Sequence, residues 1–399
     1  MDDNHSRRSE CSERQREANI RALAAIIGTF IVITILWDGF ETIIFPRRVT
    51  RKIRLTRLFY RYTWLVWVWF VNHLSSKKRS ETFLSFYGPL SLIFLLVVWA
   101  WGLVFGFGLL QWAAGPDWTP IGTRISLWTY FYFSGTNFFT LGLGDITPYT
   151  TTARILTMME AGLGLGFLAL IVGYLPALNQ SFARREETIS LLDARAGSPP
   201  TAMEMLHRHS RDNGLQELER FLNLWERWSS ELLESHLSYP VLAYFRSQHD
   251  NESWLAALTA ILDTTSVIMS YLSGPCRNQA ELTFAMARHA VVDLSIVFDT
   301  PPCEPDQDRL PAADLDQLTT GLVGWGFNLV TNTTTKEQLR SFRYMYEPYL
   351  YALGNHLCLD IPPWIPVAGQ VDNWRTSAWG TITLDKRNVR KGTRGPRHF

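Results

Sequence analysis

The chain has 399 residues, with 38 Lys and Arg against 37 Asp and Glu and a formal net charge of +1. That balance excludes a partner bound through global basicity, nucleic acid above all, and the length exceeds one typical domain. The four cysteines, Cys11, Cys276, Cys303 and Cys358, have neither metal-ligand nor redox spacing, and no cofactor is expected. Apolar, Trp-rich sequence up to about residue 178 gives way to ordinary charge-mixed sequence, which divides the chain into a membrane half and a soluble half.

In chain order, a polar segment (1–19) precedes a first apolar stretch (20–45) long enough to span a bilayer as a helix. It is too long, and lacks the small-residue cleavage site, for a signal peptide. Asp38 and Glu41 share a face at its inner end. Either they pair with basic residues of a neighbouring helix and couple it to gating, or they reach interfacial water beside Arg47 and Arg48. A basic, Trp-rich stretch (46–80) follows, in which Arg47, Arg48, Arg51, Lys52, Arg54, Arg57 and Arg61 occur with no acidic residue among them. The positive-inside tendency puts it in the cytoplasm, with the short apolar run 62–74 lying in the interface and the N-terminus outside. A crossing through 58–74, giving four spans and an inside N-terminus, is the competing topology. Two further spans are expected at 89–112 and 153–178.

Between those spans stands Thr140-Leu141-Gly142-Leu143-Gly144-Asp145, preceded by the charge-free run 126–139, which reads as a short buried helix, and followed by Pro148. A dehydrated cation needs rings of oxygen in place of its water, and backbone carbonyls supply them only along an unusual extended backbone. Gly142 and Gly144 permit positive φ, Leu141 and Leu143 point outward between them, and Thr140 adds a hydroxyl oxygen.

With these residues, 86–185 resemble the pore of the potassium channel superfamily, of the prokaryotic type with one pore per chain. The resemblance implies an all-α membrane protein with outer helix, pore helix, filter and inner helix, to which an N-terminal transmembrane helix is added. It implies K+ as the permeant ion, coordinated by the backbone carbonyls of Thr140, Leu141, Gly142 and Leu143. Asp145 matches a carboxylate that ties the outer filter mouth to the pore helix. Tyr132 and Phe133 match an aromatic cuff, with Thr136 a further filter support. Leu143 replaces the commoner tyrosine, and Phe138 and Phe139 replace small or hydroxyl residues, which bears on how tightly potassium is preferred over sodium.

The pore loop enters from outside, so the preceding helix starts in the cytoplasm, consistent with Lys77, Lys78 and Arg79. In the last span, Gly162, Gly164, Gly166 and Gly173 offer a gating hinge or close helix packing. Gly164, 19 residues after Asp145 (164 − 145), is the preferred pivot. Pro176 kinks or ends the span. Glu160 either buttresses the pore helix, adds negative potential for cations, or is held neutral against backbone.

Beyond a linker at 180–187, the pattern is of packed helices at 202–211, 215–237, 253–272, 278–298, 314–329 and 336–357. They make an all-helical cytoplasmic domain (186–375) with no nucleotide-binding fingerprint. The apolar segment 253–272 carries Asp263 at its centre and reads as a buried core helix. Arg288, His289 and Asp293 form either a ligand pocket or proton-sensing pair, or a buried ion network; His207 and His209 face apart and make a poor metal site. Lys386, Arg387, Arg390, Lys391, Arg394 and Arg397 lie in a basic tail (376–399) expected to be disordered.

One filter strand cannot encircle an ion, so a homotetramer in the plasma (inner) membrane of a bacterium is expected, self-associated in the bilayer around K+. No span carries Arg at every third position, so voltage sensing of the S4 kind is not expected. The function read is a potassium-selective channel, gated by the last span and biased by the soluble domain or an unknown cytosolic ligand of it. The alternatives are a weakly selective cation channel and a membrane-anchored signalling or scaffold protein. No nucleophile–base pair, metal cluster or phosphate loop supports an enzyme.

Overall fold

The computed structural model describes residues 3–45, 54–74, 76–114, 126–210, 214–247, 252–305, 307–330 and 334–367, with backbone alone at 3–11 and 77–78. Among them the regular structure is entirely helical. The chain divides into two compact units, Met1–Asn179 and Gln180–Phe399. The basic residues at 47–52 and the basic tail lie outside the described residues.

In the first unit, α1 (Asp3–Gly39) ends in a π-helical turn, Phe40–Ile44. It begins well before the apolar stretch because the Glu-, Arg- and Gln-rich polar segment is made of good helix formers. Next come α2 (Leu55–Asn72) and α3 (Lys77–Ala113). The helix that carries the second expected span is longer than the 89–112 stretch, since α3 runs through Pro89 from 12 residues upstream (89 − 77). A proline removes one N–H bond, and here neighbouring turns carry the helix past it.

The 37 residues of α3 make a rod of about 55 Å, longer than the roughly 30 Å hydrocarbon core. Along it α1 and α2 pack one after the other, both antiparallel to it. The contact of α1 rests on missing side chains: a Cβ on Gly106 would stand 2.7 Å from Val32 Cγ2, and one on Gly102 would stand 2.3 Å from Ile35 Cδ1. This is small-xxx-small packing within one chain. Farther down α3 the contact with α2 is aromatic, with ring centroids 5.2 Å apart for Phe59–Phe94, 4.7 Å for Trp64–Tyr87 and 4.5 Å for Trp67–Phe83.

Where α1 hands over to α2, Asp38 is buried. Its carboxylate accepts from Trp99 Nε1 (3.0 Å), Thr56 Oγ1 (2.5 Å) and Thr56 N (3.2 Å), capping the first turn of α2. Glu41, also buried, accepts from Trp37 Nε1 at 2.8 Å and pairs with Arg54 Nε at 3.4 Å. Neither carboxylate reaches interfacial water. They fasten three helices together, because a carboxylate removed from solvent persists only where donors replace its water.

α4 (Leu127–Phe138) is the short helix expected before the filter, and α5 (Thr151–Ala196) follows it. Of the two readings of Pro176, the helix end is excluded, since α5 runs through it, and the linker at 180–187 is itself helical. The sequence after Pro176 is rich in helix formers, so the single lost donor does not stop propagation.

The second unit, starting on α5, holds α6 (Ala202–Arg208), α7 (Gly214–Ser238), a 3-10 turn (Pro240–Tyr244), α8 (Trp254–Tyr271), α9 (Pro275–Val297), α10 (Ala312–Gly324), α11 (Thr335–Tyr344) and α12 (Glu347–Leu357). The single helix expected at 336–357 is two, parted at Met345 and Tyr346. All 18 residues of α8 are buried, so it has no face for lipid, although its length and composition would suffice to cross a bilayer. Its Asp263 accepts from Arg309 Nη2 (2.6 Å) and Tyr346 Oη (2.7 Å), and Arg309 Nη1 reaches Glu347 at 3.0 Å. Burial alone would lower the pKa of Arg309, but the two carboxylates outweigh it and raise it. His289 and Arg288, by contrast, are exposed. His289 Nε2 meets the buried Asp293 at 3.4 Å one turn away, so the expected His–Asp pair is present, while Arg288 and His289 are not part of a buried network. His207 stacks on Trp325 and His209 on Phe221, each serving packing.

Candidate pore and filter

The filter stretch begins where α4 runs out of hydrogen bonds. Phe139 N donates to Gly135 O (3.0 Å), Thr140 N to Asn137 O (3.0 Å) and Leu141 N to Thr136 O (2.7 Å), with Gly142 N 3.4 Å from the same oxygen. The carbonyl of Thr136 thus anchors the turn, while its hydroxyl donates back to Phe133 O at 2.8 Å. From there φ is positive at Thr140 (55°), Gly142 (55°) and Gly144 (76°) but not at Leu141 or Leu143. In an ordinary strand successive carbonyls point to opposite sides; alternating left- and right-handed residues turn them to one side. Threonine in the left-handed region carries a steric cost, so the positive φ at Thr140 is a strained position held by its surroundings. All six residues, 140–145, are exposed in the single chain, Leu141 and Leu143 at 61% each.

Asp145 closes the loop: Tyr132 Oη, on α4, donates to its Oδ2 at 2.9 Å, and Ile146 N donates to its Oδ1 at 3.1 Å. Phe133 points the other way, buried with Tyr130 against Ala153 of α5. The next residue, Ser134, is fully buried beside Val104 of α3, to whose carbonyl its hydroxyl lies at 2.7 Å, and it bonds Glu160 of α5. Glu160 is itself fully buried, and its Oε2 has no partner. Its bond to Ser134 ties α5 to α4.

Gly164 lies one turn below Glu160 on the same face. A Cβ there would stand 2.0 Å from Phe138 O and 2.9 Å from Phe138 C, whereas Gly162, Gly166 and Gly173 have nothing within 4 Å. Gly164 therefore lets α5 touch the end of α4, and the unobstructed glycines lie on either side of that contact. Ser134 and the Gly102/Gly106 pair were missed in the sequence, although the GxxxG spacing of the pair was a readable signal.

Residues 92–180, from the middle of α3 through 140–145 to the first residue of the second unit, match the family described as Ion channel. The uncharacterized membrane protein YdjJ of Bacillus subtilis (strain 168) is 26% identical over 259 residues, covering 63% of this chain and 73% of that protein. No solved structure matches the chain. The class is thus bounded: among the described residues an all-helical protein with several helices long and apolar enough to cross a membrane, one segment of which, 92–180, is similar to the Ion channel family.

Proposed function

We propose that the chain is one subunit of a homotetrameric, potassium-selective channel of the plasma membrane, with the second unit in the cytoplasm. The observation that carries this reading is the alternation of φ at 140, 142 and 144, which presents the carbonyls of Thr140, Leu141, Gly142 and Leu143 to a single side. K+ exchanges its water for these oxygens and moves by repulsion between neighbouring sites. Four copies are required because one exposed strand surrounds nothing, and the apolar residues left bare on α5, such as Met158, Leu165 and Val172, supply surface for copies and lipid. Glu160 and Gly164 hold the inner helix to the pore helix, which places bending of α5 below them, towards Gly166, Gly173 and Pro176.

A weakly selective cation channel is the second reading, favoured by Leu143, 61% exposed, which has no polar atom with which to hold the filter's diameter. Native mass measurement of the purified chain and rubidium uptake into liposomes test the proposal together. A tetramer with uptake far above empty vesicles is expected; a monomer, or uptake equal to that of a Gly142→Val chain, contradicts it.

A further inference from the structure

Arg185 of α5 is 4% exposed, and each of its three nitrogens meets an acceptor. Nε donates to Glu186 Oε1 (3.0 Å), with which Nη2 pairs at 2.9 Å, and Nη2 donates to Phe245 O (2.8 Å). Nη1 donates to Leu242 O (2.8 Å) and faces His236 Nε2 at 3.4 Å. His236 Nδ1 is 2.7 Å from Leu232 O; a carbonyl only accepts, so the ring proton sits on Nδ1 and Nε2 presents its lone pair to the arginine. Leu242 O, which also accepts from Phe245 N at 3.1 Å, and Phe245 O lie at the C-terminal end of the 3-10 turn, where carbonyl dipoles favour a cation. Phe182 lies beneath the guanidinium at 5.1 Å, and Trp228 Nε1 reaches the backbone oxygen of Arg185 at 3.4 Å.

Burying a guanidinium is costly unless every donor is met, and here three elements converge to meet them: α5, α7 and the turn at 240–244. The seat is shaped for a planar fork; a lysine ammonium with three donors would leave carbonyls unmet. α5 is one unbroken helix from the pore segment to this seat. It cannot slide or rotate there without dragging α7 and the turn along or pulling the guanidinium out.

We infer that this seat is where the C-terminal unit takes hold of the gate helix, with Arg185 as its coupling residue; the inference rests on the reading of α5 as the inner helix of a pore. The test is planar-bilayer recording of the full-length chain and its Arg185→Gln, Arg185→Lys and Glu186→Gln variants, with hydrogen exchange over 182–196 on the same samples. Open probability changes at least about fivefold in Arg185→Gln, the lower bound for a useful coupling. It moves in the same direction in Arg185→Lys and by less in Glu186→Gln, while the reversal potential stays fixed. If Arg185→Gln fails to fold, Arg185→Lys carries the same expectation. Faster exchange over 182–196 with unchanged open probability overturns the inference, as does a shifted reversal potential, which would place the defect in the filter. A wild-type chain that passes no current overturns the channel reading and this inference with it.

Discussion

α5 and α8 are both long and apolar enough to cross a membrane, yet they end in opposite surroundings. α8 is covered on every side by its own unit, and its hydroxyls are turned inward: Thr259, Thr264, Thr265, Ser266 and Ser270 each donate to a carbonyl one turn back. The membrane portion of α5 leaves Met158 76% and Val172 66% exposed. The second unit completes its core from its own chain, whereas the first ends in a bare filter and a bare helix face. Composition alone does not separate the two helices; what separates them is whether the chain supplies a cover.

The largest expected effect tests the unfinished half. In Gly142→Val a β-branched residue is forced to φ 55°, at about 1–2 kcal/mol per residue and four times over in a tetramer. Current falls at least about 1,000-fold in bilayer recordings, while thermal unfolding of the second unit is unchanged. The finished half answers differently. Asp263→Ala leaves Arg309 buried without its main partner, lowering stability by about 3–5 kcal/mol, or about 6–20 °C in the Tm read by calorimetry. Channels that still assemble keep their reversal potential.

Acid separates the halves less sharply. Burial first, then the charge of Arg185, lowers the pKa of His236 to about 3, only partly offset by the bond to Leu232. The unfolded chain takes up this proton near pH 6.5 and the folded chain does not, so the stability of the second unit falls as pH drops from 6.5 towards 3. At pH 5 the loss is about 2 kcal/mol, measured as the difference between denaturant curves of wild type and His236→Gln. The smallest effect sharpens the picture within α5. Gly164→Ala, overpacked against Phe138 O, lowers single-channel activity about tenfold; Gly173→Ala, with open space around it, stays within about twofold.

The positive φ of Gly142 and Gly144 was legible because glycine takes that conformation without steric cost, and the buried role of α8 because Asp263 is intolerable in lipid. Helix continuity through Pro89 and Pro176 was not, since a proline removes one donor and whether the helix survives is decided by neighbouring turns. The roles of Asp38 and Arg185 were not either: each carries a charge whose meaning depends on donors or acceptors brought from far along the chain, Trp99 for one and Leu242 and Phe245 for the other. Gly164 illustrates the remaining difficulty, because a hinge glycine and a contact glycine look alike until the facing backbone is in place.

The central claim, that the carbonyls of 140–143 select potassium, is tested most directly by the reversal potential of the full-length channel in a planar bilayer with opposing potassium and sodium gradients. A potential that follows the potassium gradient by about 59 mV per decade, the single-electron-charge slope, is the predicted result. A potential near zero under equal and opposite gradients of the two ions, or no current at all, would contradict it.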